Sequence, residues 1–141
     1  MSTKRLPSIA LIVLALLAVG CASGGAAPQG PPPEEVIGQM VTKAMELLAA
    51  GDIENLMMLY ADDFASDQGD KTAMTQFLQG AADQGFLEGF TADTEAMAVT
   101  VDGDTATVSG VTVEGAFGIL NLGFGLAQRD GAWVITSQTQ Q

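Results

Sequence analysis

The chain has no histidine and only one cysteine. The first absence removes histidine-based acid–base catalysis, nucleophiles that need a histidine partner, and histidine-ligated metal. The second removes any internal disulfide. Basic residues are scarce as well, with five Lys and Arg against 17 Asp and Glu. Lys4 and Arg5 precede every acidic residue. From Glu34 onward only Lys43, Lys71 and Arg129 are basic, so three positive charges against 17 negative ones leave a formal charge of −14. Such a surface repels phosphate backbones and excludes nucleic acid as a partner. It repels anionic lipid heads for the same reason. No apolar run reaches the ~20 residues needed to span a bilayer.

What the N-terminus does contain reads as an address. Lys4 and Arg5 are followed by an uncharged apolar run over residues 9–19, and Leu17-Ala18-Val19-Gly20 leads directly into Cys21. A basic start, a short apolar stretch and small residues at a cut form the layout of a secretory signal. The small Gly20 before Cys21 resembles the lipobox of bacterial lipoproteins. In that family the cysteine thiol takes a diacylglycerol, and cleavage leaves the lipidated cysteine as the new N-terminus. Many lipoboxes carry Leu where Ala18 stands; here Leu17 lies one step earlier. Ala22 rather than Asp follows the cysteine, which by the same resemblance implies the periplasmic face of the outer membrane. The expected organisation is a signal peptide over 1–20, lipidated Cys21 with a Gly/Pro-rich tether over 21–33, and one domain over 34–141. The tether is flexible at its Gly end and stiffer at its Pro end.

About 108 residues remain for the domain, enough to bury a core without disulfides or metal. Pro33 with Glu34 and Glu35 predicts a helix start. Ile37, Met40, Val41, Ala44, Leu47 and Leu48 recur at helical spacing, and Gly51 predicts the end. Asp52 predicts the cap of a second helix, with Ile53, Leu56, Met57, Leu59 and Tyr60 as its apolar positions and Asp62-Asp63 as its break. Asp70 predicts the cap of a third helix, with Met74, Phe77, Leu78 and Ala81 on its apolar face and Gly85 at its close. The period then changes to two. Met97, Val99 and Val101 alternate with Ala98 and Thr100, and Asp102-Gly103 predicts a hairpin. Ala106 and Val108 fall out of phase with Val111 and Val113, so Ser109-Gly110 predicts a β-bulge. A long strand over residues 117–127, a second hairpin at Asp130-Gly131 and a last strand holding Trp133 and Ile135 complete the pattern. Helices followed by strands argue for an α+β fold with three N-terminal helices packed on a curved antiparallel sheet.

Two segments carry a further resemblance. Ala49-Ala50-Gly51-Asp52-Ile53-Glu54-Asn55-Leu56, followed by Leu59-Tyr60-Ala61-Asp62-Asp63-Phe64, resembles the second-helix signature of the NTF2-like (SnoaL-like) superfamily. Val101-Asp102-Gly103-Asp104-Thr105-Ala106 and Arg129-Asp130-Gly131-Ala132-Trp133-Val134-Ile135 are similar to its hairpins. The resemblance implies a cone-shaped α+β domain, often a homodimer, with a pocket in the cone that can hold a small apolar ligand. Its members include isomerases, cyclases, dehydratases and non-catalytic binding modules, so the fold does not fix the function.

Members resembling ketosteroid isomerase use an Asp base, a Tyr and a protonated acid. Ala44 stands where that resemblance places the tyrosine, and Gln68 stands at the base position, one residue after Asp67. Asp67 and Tyr60 are therefore the candidate catalytic pair of an isomerase- or cyclase-type alternative. Asp102-Gly103-Asp104 lacks the further ligands of a calcium loop, and the glycines at 118, 123 and 125 lack the Lys-Ser/Thr and helix of a phosphate loop. No metal and no cofactor is expected. The leading expectation is a lipid-anchored, non-catalytic envelope module. It joins the membrane through Cys21, and it holds a small ligand or docks a partner.

Overall fold

The structure, a computed structural model, describes residues 30–141. Cys21, the signal segment and the tether before Gly30 lie outside the described residues. Helix α1 (Pro33–Ala49) begins with Pro33 in its first turn and with Glu34 and Glu35 at the positive end of its dipole. It buries the stripe Ile37, Val41, Ala44, Met45 and Leu48. Gly51, at φ +70°, ends it: the Asp52 N–H donates to the Leu47 carbonyl at 2.9 Å and the Gly51 N–H to that of Leu48 at 3.0 Å. These two bonds satisfy carbonyls that the last helical turn leaves open. Asp52 then caps α2 (Ile53–Met57), accepting from the Asn55 N–H at 3.2 Å. Such a cap contributes about 1 kcal/mol.

The second helix stops at Met57, three residues before the expected Tyr60. Tyr60 instead opens strand β1 (Tyr60–Ser66), where Tyr60, Ala61 and Phe64 are buried. Asp62 and Asp63, expected at a helix terminus, are exposed on this strand. The cause lies at the other end of the chain. β1 runs parallel to β7 (Ala132–Gln140), and the Ile135 N–H donates to the Leu59 carbonyl at 2.8 Å. A longer helix would forfeit that ladder. The sheet is therefore mixed rather than wholly antiparallel.

β2 (Gly69–Asp70) folds back on β1, and Asp70 caps α3 (Lys71–Asp83) by accepting from the Ala73 N–H at 2.9 Å. α3 buries Met74 and Leu78, one turn apart, but Phe77 is 56% exposed. The sequence pattern placed Phe77 on the buried face; only the narrow Met74–Leu78 stripe meets the core. The remaining strands are β3 (Thr91–Asp93), β4 (Ala98–Asp102), β5 (Thr105–Gly115) and β6 (Gly118–Arg129). Their order is β2-β1-β7-β6-β5-β3, with β4 also paired to β5.

β3 and β4 share one edge of β5, on either side of the expected bulge. The register slips between Val108 and Val111, so Ala106, Val108, Val111 and Val113 are all buried despite their change of phase. Gly110 has φ +75°, and the Ala96 carbonyl occupies the space a Cβ would need. A second bulge was not legible in the sequence. On β7 Ile135 opposes Leu126, but Ser137 opposes Gly125, which leaves Thr136 as the extra residue. Gln138 thereby comes opposite Phe124, on the inner face.

The helices pack against this curved, unclosed sheet as an α+β cone. Phe64, Ile37, Leu56, Leu126, Ile135, Val41 and Val111 are its most deeply buried side chains. Full burial of a side chain of this kind contributes roughly 1.5–3 kcal/mol. Among the described residues no helix is long and apolar enough to cross a membrane.

Candidate functional site

The cone interior is lined by apolar side chains. Met45, Met57 and Met74 join Leu48, Leu56, Leu78, Phe64, Phe90 and Phe124 in one continuous core. Ala44, at the position the resemblance gives to a tyrosine, is fully buried in that packing. Apart from the Tyr60 hydroxyl, no polar or charged side chain is buried among the described residues.

Tyr60 is 4% exposed, and its ring meets Phe64 edge-on with centroids 4.8 Å apart. Its hydroxyl donates to Gln138 Oε1 at 3.2 Å. Burial pushes the hydroxyl well above its ordinary range, so it stays a neutral donor. Asp67 sits in the two-residue turn between β1 and β2 and is exposed. It lines a small depression of about 190 Å³ with Ser66, Gln68, Met74 and Gln138. Tyr60 does not line that depression; Gln138 is the residue common to both. The two candidates are thus linked through a third side chain and do not face one cavity. Gln138 carried no signal in the sequence, because the Thr136 bulge turns it inward against the simple alternation of β7.

Charge gathers in a second place. Lys71 Nζ donates to the Tyr60 carbonyl at 2.9 Å and pairs with Asp62 at 3.1 Å, and Arg129 pairs with Asp63 at 3.0 Å. Asp62, Asp63, Lys71, Arg129 and Asp130 line one open cleft. The Arg129 hydrogen bond holds the Asp63 carboxyl below the usual carboxylate range. Each base here meets an acid, so the cleft ties β1, the start of α3 and the β6–β7 hairpin together. No group of three or more acidic, cysteine or histidine side chains suited to a metal occurs among the described residues.

A third site is apolar. Phe77, Gly80 and Ala81 of α3, Phe86 and Leu87 from the turn after it, and Phe117 from the β5–β6 hairpin line an open groove of about 450 Å³. Phe77, Phe86 and Phe117 are all exposed there.

No family model matches the chain. No curated protein matches it. Solved structures do. A protein of unknown function with a cystatin-like fold from Nostoc punctiforme matches over 75% of this chain and 87% of its own, at 18% identity and a TM-score of 0.63. An NTF2-like protein of unknown function from Pseudomonas putida matches over 77% and 84%, at 19% identity and a TM-score of 0.65. A scytalone dehydratase-like protein from Novosphingobium aromaticivorans matches over 76% and 81%, at 17% identity and a TM-score of 0.64. At such identities the likeness is one of fold, and it spans proteins of unknown function beside an enzyme-like one. The described part of this chain has the fold of these NTF2-like, cystatin-like proteins.

Proposed function

We propose that this protein is a lipid-anchored module of the bacterial envelope that docks a partner on its surface and carries out no catalysis. One observation carries the reading: the cone is packed with Met, Leu and Phe side chains, and its single buried polar group already has a partner. A base inside a cone must reach substrate within hydrogen-bond distance, and a filled interior leaves a substrate no room. The same packing favours a surface partner over a small ligand inside. The anchor is Cys21. With a tether of a dozen residues and a formal charge of −14, the domain would stand off an anionic membrane.

The test is photo-crosslinking in the living cell with the full chain. A crosslinking residue would replace Thr107 or Asn121 on the outer sheet face, Gln39 on α1, or Phe77 or Phe117 in the groove. A docking module gives a discrete adduct from one of these faces. Free monomer at every position would overturn the reading.

A second reading uses the Asp67–Gln138–Tyr60 link. Gln138 accepts from Tyr60 and lines the Asp67 depression, so an isomerase-type Asp base at that rim would have an ordered polar neighbour. Turnover of any substrate abolished by Asp67→Asn, with the fold intact, would establish it in place of the first.

A further inference from the structure

We propose that the groove between α3 and the β5–β6 hairpin docks an amphipathic helix that carries basic residues and belongs to a partner protein. This rests on the docking reading above and names the face and the chemistry of the partner.

Three of the chain's six phenylalanines, Phe64, Phe90 and Phe124, are buried; the other three, Phe77, Phe86 and Phe117, stand exposed around this one groove. Their positions are built into the fold. After Gly85 the Phe86 N–H returns to the Ala81 carbonyl at 2.9 Å, which sets Phe86 beside α3. Phe117 lies over the backbone of Gly115, where an added Cβ would come within 2.7 Å of its ring, and it packs on Phe90 at 6.3 Å between centroids. Gly80 and Ala81 add only small side chains to the lining. A contiguous apolar surface of this kind marks an interaction site.

The charges around the groove select its occupant. Asp83 and Glu88 are exposed and directly adjoin the lining residues Gln84 and Leu87, and neither forms an ion pair among the described residues. Lys43, Lys71 and Arg129 are each engaged with a carboxylate elsewhere. A second copy of this chain would bring like charge against like, and an anionic lipid surface would do the same. A helix with apolar residues on one face and Lys or Arg on its flanks satisfies both the rings and the rim.

The experiment uses the full chain reconstituted in phosphatidylcholine nanodiscs, with empty nanodiscs as the reference. The probe is a fluorescent Leu/Lys amphipathic helix of about 18 residues, long enough to hold its shape. A Leu/Glu helix serves as its counterpart, and anisotropy is read at physiological salt. The Leu/Lys helix is expected to bind and the Leu/Glu helix not. Phe77→Gln and Phe117→Gln leave the charge unchanged, and each should weaken binding about tenfold or more. Asp83→Asn and Glu88→Gln should weaken it less and flatten its salt dependence. Phe77 and Phe117 are exposed, and circular dichroism of each variant verifies the fold. Unchanged affinity in both Phe variants, or an equal loss from the distant Asp62→Asn, would reduce the effect to diffuse charge and overturn the proposal. A dimer dissolved by Phe117→Gln would assign the groove to a second copy, and Phe-dependent insertion into the lipid would assign it to the membrane; either overturns it. If the peptide fails while Thr107 or Asn121 gives cellular adducts, the groove is wrong and the docking reading stands. If no position gives an adduct, both fall.

Discussion

The Tyr60 hydroxyl donates to Gln138 Oε1 at 3.2 Å, and Gln138 also lines the depression beside Asp67. This bond joins the first strand of the sheet to the last, side by side in space and far apart in sequence. It satisfies the polar end of a ring whose body lies in the core, so it reads first as structure. Any coupling between Asp67 and Tyr60 would have to run through Gln138.

Tyr60→Phe should destabilise the domain by about 1 kcal/mol, the worth of one such bond, measured by denaturant unfolding. The pH dependence follows from burial. The unfolded hydroxyl titrates near 10.0, and the folded one is pushed higher. Above that value the unfolded chain releases a proton that the folded chain keeps, so stability is full below about pH 10 and falls as pH rises beyond it. Tyr60 is the single tyrosine, which makes tyrosinate absorbance a clean readout. It should appear together with unfolding; a tyrosinate signal near pH 10 in an intact fold would contradict the buried placement.

Ala44→Tyr tests whether the cone is closed. Ala44 is fully buried against the helix and sheet interior. A phenol inserted there overpacks the core and should cost about 2 kcal/mol or more. A neutral or stabilising effect in thermal unfolding would reveal an open cavity and reopen the enzyme reading.

Gly110→Ala should be among the most damaging single substitutions, on the order of 3 kcal/mol from steric strain and a displaced neighbour. Its φ of +75° disfavours any side chain, and the clash is with the backbone carbonyl of Ala96, which cannot rotate away. Denaturant midpoints of Gly110→Ala and of Gly89→Ala separate the two causes, because a Cβ at Gly89 shares the positive φ but meets open space.

Arg129→Gln should return the Asp63 carboxyl to its ordinary range. The Arg129 hydrogen bond lowers it in the native protein, so its contribution is present above the unfolded carboxylate range and is lost as pH falls. Carboxyl-carbon NMR titration of Asp63 in both proteins reads this directly. High salt should shrink the difference, since the pair is exposed.

Cys21→Ser should release the protein from membranes on fractionation while leaving the domain folded. Unchanged membrane association would overturn the lipid anchor.

Much of the fold was legible because the signals are local. Pro33, Gly51, Asp52, Asp70 and Gly85 act within one turn of themselves, through dipole, cap and left-handed backbone. The bulge at Ser109-Gly110 showed as a slip in hydrophobic phase. The segment Tyr60–Ser66 misled because its apolar residues suit a short helix or a strand, and only pairing with β7 decides between them. Gln138 was invisible for a related reason: the Thr136 bulge inverts the alternation that a strand sequence implies. The absence of histidine removed whole classes of chemistry, but it could not show whether the cone was open.

By itself the sequence determined the charge, the order of helices before strands, the caps and turns that bound them, and the apolar periodicity that makes an α+β core. These depend on neighbours a few residues apart. The tertiary structure alone decided which strands meet, that the sheet is mixed, that Met and Phe side chains share one buried core, and that Phe77, left over from the buried stripe of α3, stands beside Phe86 and Phe117. Those outcomes depend on which distant surfaces bury one another, and the long-range competition for buried area and backbone hydrogen bonds is written in no local pattern.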